Sequence, residues 1–221
     1  LQSIPLSFRV NRRVPLVLLI LGLITVVTML ISISYGEYPV PPLATVKTIL
    51  GLETVNSDYG FIIRSLRLPR TLVALGVGIG LGIAGSITQG ITRNPLAAPD
   101  IIGVNAGASL AAVTLFVLFP SISIAFLPVA AFTGGLTVAI LIYLLAWQGD
   151  SSTVRLILVG IGLNLITSAL TNLIITFGNI NNVSQALVWL TGSVYGRSWE
   201  QLFTLLPWLV IFGGLALVMT R

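Results

Sequence analysis

The 221-residue chain contains no cysteine and no histidine, and only 8% of its residues are charged. Without cysteine there is no disulfide, no thiol nucleophile and no iron–sulfur ligation. Without histidine the commonest metal ligand and general base are missing, and with them any Ser–His pair. The only lysine, Lys47, lies in a connection between apolar runs, so an intramembrane serine hydrolase would have no base. Neither H-E-x-x-H nor G-x-x-x-x-G-K-[ST] occurs, and no strand precedes the G-x-G strings. The sequence therefore offers no catalytic residue, no metal site and no cofactor site. Soluble domains carry about 25% charged residues. Here 56% of the chain is hydrophobic and the mean hydropathy is +1.05, as expected of an integral membrane protein. The net charge of +5 comes from basic residues at the ends of apolar runs, a topology signal rather than a nucleic-acid surface.

Six runs approach the roughly 20 apolar residues a spanning helix needs: Val14–Ile33, Thr71–Ile91, Ile101–Phe119, Ala125–Trp147, Val154–Phe177 and Gln201–Met219. The reading is all-α, a polytopic transmembrane helix bundle forming one domain over residues 1–221. Arg9, Arg12 and Arg13 precede the first run and put the N-terminus in the cytoplasm. Residues 35–63 then form an outer loop with a short helix near Leu43–Leu50, and Val183–Leu190 forms a second short helix at the interface. The turn at Thr92–Pro99 and the polar turn at Gln148–Val154 face inward, with Asp150, Ser151 or Ser152 as N-cap of the fifth run.

Three patterns stand out. Arg64, Arg67 and Arg70 cluster on the outer side, against the positive-inside rule. They either snorkel at a helix end or face an acidic partner. The second run carries two ladders at four-residue spacing, Gly78/Gly82/Ser86/Gly90 and Gly76/Gly80/Ala84, which suit close helix packing. Gln89 near its inner end needs a polar partner. In the fifth run Asn164, Thr167, Ser168 and Thr171 fall on one helical face, with Asn172 beside them. A polar stripe on an apolar helix faces either a water-filled path or neighbouring helices it hydrogen-bonds.

The segment R-L-P-R-T-L-V-A-L-G-V-G-I-G-L-G-I-A-G-S-I-T-Q-G-I-T-R-N-P-L-A-A-P-D-I-I-G-V-N-A-G (67–107), with L-V-G-I-G-L-N (158–164) and W-L-T-G-S (189–193), closely resembles the permease subunits of iron-siderophore, haem and vitamin B12 ABC importers. The resemblance implies a bacterial inner-membrane protein that pairs with a second permease subunit, cytoplasmic ATPase subunits and an extracytoplasmic substrate-binding protein. By it, Arg67 and Arg70, with Arg64 nearby, meet carboxylates of the binding protein. Asn164, Thr167, Ser168, Thr171 and Asn172 line the translocation path. Asn94 and Leu96, with Thr153 and Val154, close its cytoplasmic end. Family members have about ten helices, so a further part is expected beyond these six. The substrate class expected is ferric siderophore. An ion-coupled secondary transporter is the alternative, but intramembrane Asp, Glu or His relays and paired broken helices are its usual marks, and the apolar runs carry no carboxylate.

Overall fold

The computed structural model describes residues 13–52, 58–147 and 152–219. The helices are α1 (Arg13–Ser34), α2 (Pro42–Ile49), α3 (Asp58–Phe61), α4 (Leu68–Thr92), α5 (Val104–Leu118), α6 (Leu127–Ala146), α7 (Thr153–Phe177), α8 (Ile180–Leu190) and α9 (Trp199–Met219). Among the described residues, five helical segments are long and apolar enough to cross a membrane: Arg13–Ser34, Asp58–Thr92, Ile124–Ala146, Thr153–Phe177 and Trp199–Met219. The expected third span is the exception. Pro99 opens a 3-10 turn, Pro99–Ile102, which ends at Gly103 with φ +82°, and α5 follows with only 15 residues. At 1.5 Å per residue that is about 22 Å, short of a hydrocarbon core of about 30 Å.

The second expected run starts well before Thr71. α3 passes through a π turn, Ile62–Arg67, directly into α4. Helical hydrogen bonding thus continues through residues whose polarity reads as loop. The two short helices appear where the sequence places them, α2 on the 43–50 segment and α8 beginning three residues earlier than expected.

Backbone proximity divides the chain into two units. The first holds residues up to Gly76 together with Val194–Trp208. Its core is Ile33, Val40 and Ile63, packed with Ala44, Ile49, Tyr59 and Leu68. Proline at the start of α2 suits a helix N-terminus. Buried Ser34 Oγ donates to Thr45 Oγ1 at 3.0 Å and Thr45 Oγ1 donates to Pro41 O at 3.3 Å, joining the end of α1 to α2.

The second unit holds Val77–Ser193 and residues from Leu209 on. Its main helix pair is α5 with α6, and α7 and α8 pack on α5. Val113, Val117, Val183 and Ala186 form its core, with Phe116, Ile174, Ile175 and Leu190 around them. In lipid, apolar burial does not drive helices together, so close packing must. At the α5–α6 crossing a methyl added to Gly107 would lie 2.7 Å from Gly134 O, and one on Gly134 would lie 2.5 Å from Gly107 O. A methyl on Gly160 of α7 would lie 2.8 Å from Ile102 O, so α7 touches the 99–102 turn backbone to backbone.

Candidate functional site: the arginine end, the α7 stripe and the two turns

The arginine end is built on the π turn. There a carbonyl accepts from the N–H five residues on, and Leu68 N–H bonds Ile63 O. The next carbonyl in that register, Arg64 O, would need the N–H of residue 69. That residue is the fully buried Pro69, which has none. Trp199 at the start of α9 supplies the donor: its Nε1–H bonds Arg64 O at 2.9 Å. π turns concentrate at functional sites. Neither this pairing nor the turn is signalled by the sequence.

The three arginine heads end up in different places. Arg64 donates from Nε and Nη2 to Thr48 O at 2.9 and 2.7 Å, at the C-terminus of α2. Arg67 donates from Nη1 to Ile33 O at 2.7 Å and Ser34 O at 3.1 Å, and from Nη2 to Tyr38 O at 2.6 Å. Its guanidinium thus sits on the last turn of α1, where carbonyls lack helical partners and the dipole favours a cation. Exposed Arg70 makes no hydrogen bond among the described residues. Its guanidinium carbon lies 5.4 Å from the ring centroid of Tyr195, itself highly exposed. Tyr195 was not singled out in the sequence, and nothing there signals it.

Along α7 the polar stripe straddles two faces. Thr167 and Thr171 are 6% and 8% exposed. Both hydroxyls are bonded inside their own helix, Thr167 Oγ1 to Leu163 O at 2.8 Å and Thr171 Oγ1 to Thr167 O at 2.8 Å. Ser168 Oγ donates to Asn164 Oδ1 at 3.1 Å, and both residues are half-buried. Asn172 is exposed. The open edge of the stripe in this chain is therefore Asn164–Ser168–Asn172.

The turn after α4 is closed by two local devices. Arg93 takes φ +51°, Asn94 N–H reaches back to Gln89 O at 3.2 Å and Arg93 N–H to Gly90 O at 3.4 Å, a Schellman end. Asn94 Oδ1 then accepts from Leu96 N–H at 2.9 Å, the Asx turn that asparagine before proline favours. This leaves Leu96 88% exposed. Gln89 finds its partner here, its Nε2 donating to Ala97 O at 3.4 Å. Before α7, Ser152 occupies the N-cap without a side-chain bond, and Asp150 and Ser151 lie outside the described residues. Val154 is 64% exposed and Thr153 half-buried. A cavity of ≈ 160 Å³ between the ends of α4 and α6 and the start of α7 is lined by Ile91, Tyr143, Ala146, Trp147, Ser152, Thr153 and Leu156. Thr153 thus borders a space that Ile91, just before the Asn94 turn, also lines. Arg9, Arg12 and Arg221 lie outside the described residues.

The glycine ladders of α4 do not behave alike. In the second, a methyl on Gly80 would meet Leu209 Cδ2 of α9 at 3.3 Å. In the first, nothing lies within 4 Å of a methyl at Gly78, Gly82 or Gly90, and Ser86 is exposed and bonded to Gly82 O. The close helix contacts are made instead at Gly107, Gly134 and Gly160.

Comparison with known proteins places the chain among iron-import permeases by similarity. The chain is 39% identical over 204 residues to the Fe(3+)-citrate import system permease protein YfmE of Bacillus subtilis (strain 168), covering 92% of this chain and 60% of that protein. It is 38% identical over 192 residues to the Fe(3+) dicitrate transport system permease protein FecD of Escherichia coli (strain K12), covering 87% and 58% respectively. A solved inward-facing metal-chelate type ABC transporter superposes with a TM-score of 0.72 at 30% identity, covering 86% of this chain and 57% of that one. The chain thus spans about 60% of the length of the relatives it matches. Residues 24–221 match the FecCD transport family, and with its long apolar helices the chain belongs to that family as a multi-pass membrane protein.

Proposed function

We propose that this chain forms the membrane-spanning part of a permease subunit in a binding-protein-dependent ABC importer of the bacterial inner membrane, with its N-terminus in the cytoplasm and a ferric siderophore as cargo. The observation that carries this reading is the match of residues 24–221 to the FecCD transport family, with relatives named for ferric citrate import. The sequence has no nucleotide-binding motif, so ATP hydrolysis falls to separate ATPase subunits and the chain is not itself an enzyme.

In this reading the loaded binding protein docks through carboxylates on the outer arginine patch of Arg64, Arg67 and Arg70. A second permease subunit faces this one, and the cargo passes between the two copies of α7. Its polar residues Asn164, Thr167, Ser168, Thr171 and Asn172 give water and a hydrophilic chelate an alternative to lipid. The gate opens when the Asn94–Leu96 and Thr153–Val154 turns separate. The large exposure of Leu96 and Val154 supports that role, because each offers an apolar surface that a facing copy would cover.

The test is uptake of iron-55 ferric siderophore by proteoliposomes holding the whole transporter, with ATP inside and the binding protein outside. Uptake requiring both is the expected result. Uptake that proceeds without ATP and collapses with a protonophore would instead establish an ion-coupled carrier.

A further inference from the structure

At the inner end of the second unit two arginine side chains lack an anion. Arg93, just beyond the last turn of α4, is exposed, and its guanidinium makes no hydrogen bond among the described residues. Arg155, in the first turn of α7, is half-buried. Its Nη1 is shut off from water and has no acceptor among the described residues. A buried guanidinium N–H without an acceptor is costly. The helix adds to that cost, because its N-terminal end is itself positive. No acidic residue lies in the first turn of α7, and Ser152 makes no side-chain bond there. Asp100, the only carboxylate among the described residues of this unit, accepts from Asn105 Nδ2 at 3.0 Å.

The ≈ 160 Å³ cavity lies beside the same two helix ends. Ile91, two residues before Arg93, lines it on the α4 side, and Thr153 and Leu156, which flank Arg155, line it on the α7 side. Tyr143 and Trp147 supply the α6 wall. Their ring centroids are 5.1 Å apart and both residues are exposed. A Tyr–Trp pair at the end of an apolar helix suits the level of lipid headgroups.

We propose that this corner binds an anionic phospholipid of the inner leaflet. An acyl chain enters the cavity against Tyr143 and Trp147, and the phosphate is shared by Arg93 and Arg155. Guanidinium forks match phosphate oxygens, and the cytoplasmic leaflet is the anionic one. A partner protein's carboxylate would answer the charge and leave the apolar cavity empty, whereas a lipid answers both. The proposal rests on the inward placement of these turns and not on the importer reading, so either can fail without the other.

The experiment places the whole transporter in phosphatidylcholine nanodiscs with a small fraction of brominated lipid, whose bromines quench nearby tryptophan. The signal of Trp147 is the difference between the unaltered protein and Trp147→Phe. Brominated phosphatidylglycerol should quench it as strongly as brominated phosphatidylcholine at an about tenfold higher fraction. An excess of inorganic phosphate should leave that preference in place. Arg93→Gln combined with Arg155→Gln should abolish it, while Arg155→Lys, which keeps the charge, should retain most of it. Equal quenching by the two lipids in the unaltered protein would overturn the site without recourse to any variant. A preference that survives the double substitution would overturn the role of the two arginines. Loss of the preference to inorganic phosphate would make the occupant a free anion and overturn the lipid.

Discussion

Replacing Gly107 and Gly82 one at a time with alanine puts the same methyl group into two apolar helices, and the structure predicts effects of opposite sign. At Gly107 the new Cβ would lie 2.3 Å from Val138 Cγ2, 2.9 Å from Val138 Cβ and 2.7 Å from Gly134 O. Carbon contacts are normally about 3.5–4.0 Å. Val138 is buried, and a β-branched side chain in a helix has essentially one rotamer, while Gly134 O is backbone and cannot turn aside. The α5–α6 pair must therefore open by the better part of an ångström, and overpacking of this kind costs about 1–3 kcal/mol. At Gly82 nothing lies within 4 Å of the new methyl, so only the gain of alanine over glycine in a helix remains, about 1 kcal/mol. The two variants should thus differ by about 2–4 kcal/mol. Unfolding of the purified 221-residue chain in mild detergent micelles, titrated with SDS and followed by circular dichroism, measures the difference. If Gly107→Ala is as stable as Gly82→Ala, the glycine-to-glycine crossing does not hold these helices, and the packing argument fails.

Two further predictions concern the arginine end and α7. Trp199→Phe removes the indole donor to Arg64 O and should cost about 1–2 kcal/mol, whereas in a Pro69→Ala background, which restores a backbone N–H, the same change should cost measurably less. A double-mutant cycle on the same unfolding assay reads that coupling, and strict additivity would refute the π-turn account. The absence of native cysteine makes a single-cysteine scan of α7 clean. Thiols at Asn172 and Ser168 should react with water-soluble maleimide faster than thiols at the buried Thr167 and Thr171. The reverse order would mean that the open edge of the stripe has been assigned wrongly.

The local structure around the candidate residues was readable in the sequence because its physics is local. Asn94-Pro95 followed by a free N–H dictates an Asx turn wherever it occurs. The α7 stripe follows from 3.6-residue periodicity, and the need to satisfy backbone polar groups in hydrocarbon makes every long apolar run a helix. The short α5 was misjudged because hydropathy alone does not register a left-handed glycine. The start of the helix carrying the arginines was misjudged because a polar segment hydrogen-bonds as a helix as readily as an apolar one.

By itself, then, the sequence settled the all-α membrane character and the approximate position of the long spans. Only the tertiary structure decided which glycines are contacts, since Gly82 and Gly107 look alike until a facing helix is placed. It also decided where each arginine head lies. The Arg67 contacts join residues up to 34 positions apart and the Trp199–Arg64 bond spans 135. A side chain's composition and periodicity say how strongly it needs a partner. Which carbonyl or ring answers that need depends on what folding brings within about 3 Å.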